Sequence, residues 1–470
     1  MSKYNLVVGF ETHVELNTKT KIFCSCANEF GGEPNTHCCP ICLGEPGTLP
    51  QLNKEVVRYA IKAGLSLNCK IPQIMSMDRK HYFYPDLGKS YQTTQSARPI
   101  CLEGFLTLDS GKKIRINHIH IEEDASKLIH DAQNIYIDNN RGSTPLIEIV
   151  TEPDIASVEE AREYIEKLQA ILRHIGVSDC KMQEGSMRCD VNISVNKEGE
   201  PLGTRTEIKN MNSISFIEKA ISYEYDRHVD LIESGQKNQI IQETRRYDEK
   251  TDSTESMREK EDAQDYRYFP DPDFLVLRLD SKFVENIKKT LPKLPAEIKS
   301  ELIQDGIDEK AADLLVKYKN VSDYYLSAKT FGDSKILATY ILGEIFRFLE
   351  TEEEKEQFNI KISANDLGAL SLLQKNNKIT AHIAYSIIPK MLKDGNPHTA
   401  YLTKEDLEGF DNTEIDKLCQ EGIAAMPKAV EDYKSGKEKA LKAIVGYVMR
   451  ATKGKADPVY TENKILELIR

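Results

Sequence analysis

Three acid–base side chains recur at every second position in one short segment near the start of the chain. They are Glu11, His13 and Glu15, in the run Leu6–Leu16. Because successive side chains of a strand point to opposite faces, an extended conformation would place all three on one face. Two carboxylates beside an imidazole form a suitable ligand set for a divalent cation, although a solvated sheet face is the alternative interpretation.

Other segments repeat this alternation of polar and apolar side chains. Their polar members are Asp190, Asn192 and Ser194 in one segment, Arg205, Glu207 and Lys209 in a second, and Glu122, Glu123 and Asp124 after Ile119 and Ile121 in a third. Glu148 lies inside the apolar run Leu146–Val150, where an unpaired carboxylate would be costly, so it needs a metal, a cation or a proton. The alternating isoleucines change parity near Asn117, which predicts a β-bulge there.

These polar faces together predict a sheet that cradles a metal-bound anion. Mg²⁺ with a phosphate ester is the natural occupant, because Mg²⁺ takes a few carboxylates and leaves its other positions to phosphate and water. The sequence contains no G-x-x-x-x-G-K-[ST] loop, no kinase-type glycine loop and no H-E-x-x-H motif. Any nucleotide site is therefore of an unusual type.

A cysteine cluster is typical of a structural zinc site. Five of the ten cysteines lie between residues 24 and 42, in the pairs Cys24-Ser-Cys26 and Cys39-Pro-Ile-Cys42 with Cys38 beside them. Two such pairs can supply four thiolates to one tetrahedral Zn²⁺, which leaves no open position for chemistry. Cys38 could replace Cys39, and buried free thiols are the alternative to a metal site. The scattered cysteines, which we interpret as small core residues, are Cys69, Cys101, Cys180, Cys189 and Cys419.

The composition is that of a soluble intracellular protein. The chain has 470 residues, a net charge of −12 and 29% charged residues, and this length suits about two to four domains. It contains no apolar run of the roughly 18 residues needed to cross a membrane, and its N-terminus lacks the basic and apolar regions of a signal peptide. We therefore expect a cytoplasmic protein.

The pattern along the chain predicts an α+β fold in three parts. Residues 1–290 are expected to form a large mixed α/β cradle domain, with a mostly antiparallel sheet and the zinc loop at residues 24–42. From residue 291 the pattern becomes helical. This change predicts an all-α helical domain at residues 291–398 and a small helical tail domain at residues 399–470.

Two helices of the cradle domain are clear from the sequence. The first is predicted at Val158–His174, where Ser157 and Glu160 would form a capping box before an apolar stripe. The second is predicted at Ile214–Glu233.

The tail domain departs from the acidic balance of the chain. Residues 428–455 contain eight basic and three acidic residues, a local excess of five positive charges. A solvated helix face is one interpretation, and a surface that binds a nucleic-acid backbone is the other. The basic residues that we consider for such a surface are Lys434, Lys437, Lys439, Lys442, Arg450, Lys453 and Lys455.

A series of longer motifs runs along the chain. It begins with Gly9-Phe-Glu11-Thr-His13-Val-Glu15-Leu16, Pro40-Ile-Cys42-Leu-Gly-Glu-Pro46-Gly47, Asp78-Arg-Lys-His-Tyr-Phe-Tyr-Pro-Asp86 and His120-Ile-Glu-Glu-Asp-Ala125. It continues with Gly142-Ser-Thr-Pro-Leu-Ile-Glu-Ile-Val-Thr-Glu-Pro-Asp154, Glu184-Gly-Ser-Met-Arg-Cys-Asp-Val-Asn192, Glu207-Ile-Lys-Asn210, Asp265-Tyr-Arg-Tyr-Phe-Pro-Asp271 and Asp432-Tyr-Lys-Ser-Gly436-Lys. In this combination the chain resembles, over essentially its whole length, the B subunit of the glutamyl-tRNA(Gln)/aspartyl-tRNA(Asn) amidotransferase. Phe10 and Thr12 stand where that family usually has aliphatic residues, on the face opposite Glu11.

The resemblance implies an ATP-dependent reaction on misacylated Glu-tRNA(Gln) or Asp-tRNA(Asn). ATP would first phosphorylate the side-chain carboxylate of the tRNA-bound amino acid, and ammonia would then displace phosphate to leave the amide. The implied ligands of Mg²⁺ are Glu11, His13, Glu123 and Glu148. The residues that would complete the pocket for ATP and the acyl phosphate are Asp190, Asn192, Glu207 and Lys209, with Arg188 or Lys209 on phosphate oxygens.

The resemblance further implies a heterotrimer. The sequence has neither the Ser–Ser–Lys signature of an amidase nor a glutaminase-type cysteine elbow. Ammonia would therefore come from a glutaminase A subunit, a small C subunit would join the two, and the helical tail would bind tRNA.

Two other interpretations are a non-catalytic zinc-containing RNA-binding protein and a metal-dependent phosphotransferase that acts on a small molecule. Glu148 and the pair Glu11/His13 argue against the first. The basic tail in an acidic chain argues against the second.

Overall fold

A computed structural model describes residues 3–259, 265–403, 406–407, 412–452, 456 and 458–469 of the chain. Lys453 and Lys455, which were predicted for the tail surface, lie outside these residues. The chain divides into two compact units, with the boundary between Leu294 and Pro295. The α+β class, with a mostly antiparallel sheet followed by helices, is confirmed. The division into three domains at residues 290 and 398 stays a prediction.

The first unit is built around one eight-stranded sheet. The strands of this unit are β1 (Tyr4–Glu15), β2 (Ile74–Met75), β3 (Asp78–His81), β4 (Tyr91–Thr94), β5 (Cys101–Thr107), β6 (Lys113–Glu123), β7 (Lys127–His130), β8 (Ile135–Asp138), β9 (Pro145–Thr151), β10 (Met187–Lys197), β11 (Thr206–Lys209), β12 (Glu243–Asp248), β13 (Ser253–Glu259), β14 (Phe269–Pro270) and β15 (Leu277–Arg278). The large sheet has the order β13-β12-β11-β10-β1-β9-β6-β5, and its neighbours are antiparallel except for the parallel pair β11 and β12. The register of β6 against β9 shifts between Ile116 and His118, which confirms the bulge predicted near Asn117.

Helices accompany the strands of this unit. They are α1 (Pro40–Leu43), α2 (Lys54–Ser66), α3 (Val158–His174), α4 (Ile214–Glu233) and α5 (Ser281–Lys288), with a 3₁₀ turn at Lys237–Gln239. The bounds of α3 and α4 match the two helices predicted from the sequence. Ser157 caps α3 by accepting a hydrogen bond from the Glu160 N–H. The Glu160 carboxylate accepts from the N–H of Ala156 instead of that of Ser157, so only half of the predicted capping box forms.

Apolar residues of α2, α3 and α4 pack against one face of the large sheet. Phe10 of β1 stacks on Tyr164 of α3 with ring centroids 5.5 Å apart. Because side chains alternate along β1, burial of Phe10 on this face turns Glu11, His13 and Glu15 to the other face, where they are partly exposed. The apolar core thus determines which face of the sheet carries the acid–base residues.

The second unit is helical in its described residues. Its helices are α6 (Pro295–Gln304), α7 (Glu309–Lys317), α8 (Lys319–Lys329), α9 (Ser334–Tyr340), α10 (Phe346–Phe348), α11 (Glu352–Gln357), α12 (Ala364–Lys375), α13 (Ala381–Asp394), α14 (Asn412–Ala425), α15 (Pro427–Lys434), α16 (Leu441–Ala451) and α17 (Pro458–Ile469), with a π-helical turn at Ile341–Ile345 and 3₁₀ turns at His398–Ala400 and Glu438–Ala440. One apolar cluster contains buried residues between 298 and 392, and another contains buried residues between 415 and 469. Within the described parts of the chain, no helix is long and apolar enough to cross a membrane.

A buried ion network joins α4 to β12 and β13. The carboxylate of Glu224 is fully buried and lies 2.7 Å from Nη2 of Arg227 and 3.0 Å from Nε of Arg245. The Thr254 hydroxyl also donates to it. Burial opposes ionisation of Glu224, but hydrogen bonds from His228 and Arg227 outweigh burial and lower its pKa to about 2. The network therefore stabilises the edge of the sheet next to β11.

Glu224→Gln should lower the free energy of unfolding by roughly 3–5 kcal/mol, because it leaves the two arginines with Glu243 as their one remaining carboxylate partner in this network. The pKa of Glu224 lies below its ordinary value of 4.5, so its contribution is complete above pH 4.5 and is lost as the pH falls toward 2. Urea denaturation between about pH 7 and about pH 3 measures both effects. The matched control is Glu218→Gln on the same helix, where the partly exposed pair with Arg162 should contribute less than about 1 kcal/mol. Equal stability of the two variants would contradict this role of Glu224.

Candidate active site and metal centre

The register of the large sheet brings side chains from four strands into one row. His13 of β1 lies opposite Arg188 of β10 and Glu148 of β9, and Glu148 lies opposite His120 of β6. Directly opposed residues of antiparallel neighbours place their side chains on the same face, about 5 Å apart. The row Arg188–His13–Glu148–His120 therefore crosses the polar face of the sheet.

Two histidines and two glutamates form a compact group on this face. Nε2 of His13 lies 3.2 Å from Oε1 of Glu122 and 3.4 Å from Oε2 of Glu148. Nε2 of His120 lies 3.2 Å from Oε2 of Glu148 and 3.6 Å from Oε2 of Glu122. Each imidazole thus contacts both carboxylates. We call these four residues the histidine–glutamate cluster.

Mutual pairing sets the protonation of the histidine–glutamate cluster. Burial opposes charge on His120, but hydrogen bonds to Glu122 and Glu148 outweigh it and raise the pKa of His120 to about 9. The same two carboxylates raise the pKa of His13 well above its usual range, again against the cost of burial. The histidines in turn outweigh burial at the carboxylates, lowering the pKa of Glu122 to about 2 and that of Glu148 well below its usual range. Without a metal, the cluster therefore pairs two imidazolium groups with two carboxylates.

Neighbouring acids of β6 point to opposite faces of the strand. Glu122 joins the histidine–glutamate cluster, whereas Glu123, which the resemblance implied as a ligand, does not. Glu123 pairs with the Lys89 ammonium and accepts a hydrogen bond of 2.8 Å from the Thr93 N–H. The geometry therefore favours Glu122 over Glu123 as the candidate ligand, and the metal-ligand assignments stay a prediction.

Our sequence-based assignment missed His120 and Glu122. The signal is nevertheless present, because Ile119 and Ile121 follow the bulge and face the core. His120 and Glu122 must then face the other side of β6. Counting parity from these isoleucines selects Glu122 in preference to Glu123.

The other predicted residues of the cradle lie beside the cluster, toward β11. Glu11 lies opposite Asp190, and Asn192 lies opposite Glu207. Nδ2 of Asn192 donates to Oε1 of Glu11 at 2.9 Å. Nζ of Lys209 lies 2.5 Å from Asp190 and 3.1 Å from Glu207. The structure therefore brings these five predicted residues together.

Negative charge accumulates in this part of the face. Burial raises the pKa of Glu11, and the carboxylates of Glu148, Glu207 and Asp190 raise it further, while the Asn192 hydrogen bond opposes the rise. At Lys209 the neighbouring carboxylates outweigh burial and raise the pKa, so the ammonium stays charged. An additional cation near Glu11 would relieve the repulsion among these carboxylates.

Several buried polar atoms on this face have no hydrogen-bond partner within the described residues. Nδ1 of His120 is one, and two others are Nε of Arg188 and Oδ1 of Asn192. Nη2 of Arg188 donates to Asp124 at 2.9 Å, which orients the guanidinium and leaves its Nε–H for another acceptor. Buried polar groups in folded proteins are normally paired, so these two atoms indicate where a polar ligand binds.

The donor set of the cluster fits a divalent cation. The ligand atoms of His13, Glu122 and Glu148 lie within 4.8 Å of one another, and Glu11 adds a carboxylate nearby. Carboxylate oxygens suit Mg²⁺ and Mn²⁺, and imidazole widens the range of metals that this group can accept. Metal binding requires unprotonated imidazole, so a cation at this site would displace the proton that His13 carries.

The cysteine cluster assembles as the sequence predicts. The sulfur atoms that lie within 4.8 Å of one another are those of Cys24, Cys26, Cys39 and Cys42. The Cys39 N–H donates to Sγ of Cys42 at 3.1 Å, and α1 ends at Gly44 in a left-handed turn with φ of 74°. The Cys38 thiol donates to the carbonyl of Asn35 instead, so Cys39 is the member of the cluster. The scattered cysteines, all of which are buried, are Cys69, Cys101, Cys180, Cys189 and Cys419.

Four sulfur atoms at this spacing fit one tetrahedral Zn²⁺. A hydrogen bond from the Cys24 thiol, helped by the Cys39 N–H and opposed by burial, lowers the pKa of Cys42 to about 5. Nζ of the buried Lys21 lies 3.8 Å from Sγ of Cys42 and donates to the carbonyl of Asn139 at 2.9 Å. Zinc held by these cysteines would cross-link the loop and would supply no open position for chemistry.

The basic residues that were predicted for the tail surface are exposed where the structure describes them. They are Lys434 at the end of α15, Lys437 and Lys439 in the following turns, and Lys442 and Arg450 on α16. Lys437 forms a surface pair of 3.0 Å with Asp432. This exposure is compatible with both interpretations of the tail, a solvated helix face and a polyanion-binding surface.

Comparison with known proteins relates most of the chain to one family. Residues 6–285 match the family model of the GatB/GatE catalytic domain, and residues 323–469 match that of the GatB domain. The chain is 47% identical over 467 residues to the B subunit of the aspartyl/glutamyl-tRNA(Asn/Gln) amidotransferase of Caldicellulosiruptor saccharolyticus, with 97% of both chains covered. It is 44% identical over 468 residues to a B subunit of the same name from Clostridium acetobutylicum, with 97% of both chains covered. It is 45% identical over 473 residues to the B subunit from Thermoanaerobacter pseudethanolicus, with 99% of both chains covered.

Glu122→Gln should weaken divalent-cation binding at least tenfold, because it removes one charged oxygen ligand and leaves two histidines facing one carboxylate. Mn²⁺, which accepts the same donors as Mg²⁺, allows binding to be measured by electron paramagnetic resonance. Glu123→Gln is the matched control at the next position of the strand and should retain the wild-type affinity. Equal loss of affinity in both variants, with both still folded by circular dichroism, would contradict the placement of the cation site.

Zinc should be present at one equivalent per chain and should be lost in Cys39→Ser, because a serine hydroxyl is a poor substitute for a thiolate ligand. Cys38→Ser alters the neighbouring thiol outside the cluster and should retain the full zinc content. Metal analysis of the two purified variants shows whether Cys38 or Cys39 is the zinc ligand. Loss of zinc in Cys38→Ser with retention in Cys39→Ser would reverse the assignment.

Proposed function

Because the chain belongs to the GatB/GatE family, we propose that it is the ATP-dependent subunit of a tRNA amidotransferase. Its substrate would be a misacylated tRNA, Glu-tRNA(Gln), Asp-tRNA(Asn) or both. The family implies use of ATP, and the cysteine cluster could hold zinc. The polar face of the large sheet would carry the reaction.

The proposed reaction has two steps. An oxygen of the side-chain carboxylate attacks the γ-phosphorus of ATP, ADP leaves, and an acyl phosphate is formed. Ammonia then attacks the acyl carbon, inorganic phosphate leaves, and loss of a proton gives the amide. Activation is needed because a carboxylate is a poor acyl donor and an acyl phosphate is a good one.

The histidine–glutamate cluster would hold Mg²⁺ through His13, Glu122 and Glu148, with Glu11 beside them. Bound there, the cation would neutralise charge on the phosphoryl group. In the metal-free state, the oxygens of Glu122 and Glu148 contact the imidazoles of His13 and His120. When the cation is bound, the same oxygens would contact the cation.

Arg188 is the better candidate for contact with phosphate oxygens. Its Nε–H has no partner within the described residues, whereas Lys209 is already held by Asp190 and Glu207. Asp124 orients the Arg188 guanidinium in the row next to His13. Lys209, Asp190 and Glu207 would then form the wall of the pocket for ATP and the acyl phosphate.

We further propose that the chain acts in a heterotrimer. The names of its relatives as B subunits support the presence of partner subunits. A glutaminase A subunit would supply ammonia, and a small C subunit would join the two. The exposed lysines and arginine of the tail would bind the tRNA backbone, because clustered cations attract phosphates independently of sequence.

The observation that carries this proposal is the row of β-sheet partners that sets the Arg188 donor beside the histidine–glutamate cluster. A non-catalytic RNA-binding protein has no need for a largely buried group of two acids and two histidines. The cluster therefore favours the catalytic interpretation.

Glu148→Gln and Arg188→Gln should each lower Glu-tRNA-dependent ADP formation at least about 100-fold, since each removes charge stabilisation of phosphoryl transfer. The assembled heterotrimer is assayed with ATP and Glu-tRNA(Gln), and hydroxylamine is added in place of ammonia to trap the acyl phosphate as a hydroxamate. Affinity for the tRNA should change less than twofold. Glu152→Gln, just beyond the end of β9, is the control and should retain the activity. Normal turnover in Glu148→Gln, or ADP formation without a hydroxamate in the wild type, would refute the proposal.

A further inference from the structure

Two exposed aromatic segments lie in the unit that carries the histidine–glutamate cluster. Tyr82–Tyr84 follows β3 directly, and Tyr266–Tyr268 precedes β14 directly. The side chains of Phe83, Tyr84 and Tyr268 are 74%, 60% and 46% exposed, although aromatic residues usually bury most of their surface. We call these six residues the aromatic rim.

The aromatic rim is fixed by the small sheet of β4, β3 and β14. The His81 N–H donates to the carbonyl of Tyr266 at 2.8 Å, which joins the two segments where they meet the sheet. The His81 ring stacks on Phe269 with centroids 4.9 Å apart. Nε of Arg79 lies 3.2 Å from the buried carboxylate of Asp271. The exposed rings are therefore attached to a well-connected backbone.

The rings of the rim lie close to one another and to one cation of the rim, Arg267. The centroid of the Tyr266 ring lies 6.2 Å from that of Tyr82 and 6.0 Å from that of Tyr268, and both pairs are T-shaped. The guanidinium carbon of Arg267 lies 5.9 Å from the Phe83 ring. Arg267 has φ of 44°, a left-handed conformation that costs energy for a residue with a side chain and often occurs at functional sites.

The rim adjoins the histidine–glutamate cluster through Lys80. Lys80 of β3 lies opposite Gln92 of β4, and Nε2 of Gln92 donates to the carbonyl of Glu123, the residue after Glu122. Nζ of Lys80 lies 4.8 Å from the centroid of the Tyr266 ring. Burial opposes charge on Lys80, but the Glu122 carboxylate raises its pKa. Lys80 thus contacts the rim and interacts electrostatically with the cluster.

We propose that the aromatic rim binds the unpaired nucleotides at the acylated 3′ end of the RNA substrate. This inference rests on the proposed function, in which the amino acid reaches the cluster while still esterified to the terminal ribose. The nucleotides joined to that ribose must then lie just outside the cluster. Exposed rings stack with bases of any sequence, and cations between the rings match the phosphates that link those bases.

A docked protein subunit is the other occupant that exposed rings could have. The interleaved Lys80 and Arg267 favour a polyanion, and the position beside the reacting group favours the end of the substrate. RNA is therefore the occupant that the charges and the location support.

The test compares the wild-type heterotrimer with Phe83→Ala, Tyr84→Ala and Tyr268→Ala variants. The probes are Glu-tRNA(Gln) and the same tRNA lacking its unpaired 3′-terminal nucleotides. Each alanine variant should bind the intact tRNA about tenfold more weakly, with a matching rise in KM and a smaller change in kcat, because one stacking face is lost. Binding of the truncated tRNA should be unchanged. Phe83→Tyr, Tyr84→Phe and Tyr268→Phe keep the ring and should retain wild-type affinity.

Tyr223→Ala is the control, since Tyr223 is an exposed aromatic residue on α4. Equal weakening toward both tRNAs, or unchanged affinity for the intact tRNA, would overturn the proposal. Loss of heterotrimer assembly with unchanged tRNA affinity would identify the rim as an interface between subunits and would also overturn it. Glu-tRNA-dependent ADP formation by the wild type is measured in the same preparations: its absence refutes the proposed function, whereas its presence with unaffected rim variants refutes only the rim.

Discussion

The position of β1 at the centre of the large sheet determines which side chains lie on each face of that sheet. Hydrogen bonding to β9 and β10 holds β1 in one register on both sides. A slip of one residue would turn His13 into the apolar core and bring Phe10 to the polar face. The stack of Phe10 on Tyr164 opposes such a slip. Packing of the helices on one face therefore determines the geometry of the histidine–glutamate cluster on the other.

The cysteine cluster is connected to this face through the segment that follows β8. Lys21 contacts the cysteine cluster and also donates to the carbonyl of Asn139. The backbone of Asp124 pairs with that of Ser143 and Thr144 in the same segment, and the Asp124 carboxylate holds Arg188. A cross-link by zinc would stabilise the segment that positions Asp124. Its contribution to the site is therefore indirect, through the orientation of Arg188.

Much of this arrangement could be predicted from the sequence, because strand alternation is a local rule. Alternation placed Glu11 and His13 on one face, and the change of parity located the bulge in β6. The choice of Glu123 over Glu122 came from the resemblance and ignored that parity. The aromatic rim could not be predicted, because the exposure of Phe83 depends on how β3 pairs with β4 and β14, strands distant in sequence. The four cysteines whose sulfur atoms lie together could be predicted from their spacing in the sequence alone, without tertiary information.

In the proposed reaction the polar face would accept anionic substrates although carboxylates line it, and the pairing pattern would resolve this conflict. Glu122 and Glu148 are neutralised by the two histidines, and Lys209 neutralises its neighbouring acids. Within the described residues, Glu11 has an amide partner in place of a cation, and its pKa is raised by burial and by the nearby carboxylates. Exchange of the His13 proton for one divalent cation would raise the net charge of the cluster by one unit. It would also concentrate positive charge at one fixed point beside the Nε–H of Arg188, which is the preorganised arrangement that the proposed phosphoryl transfer requires.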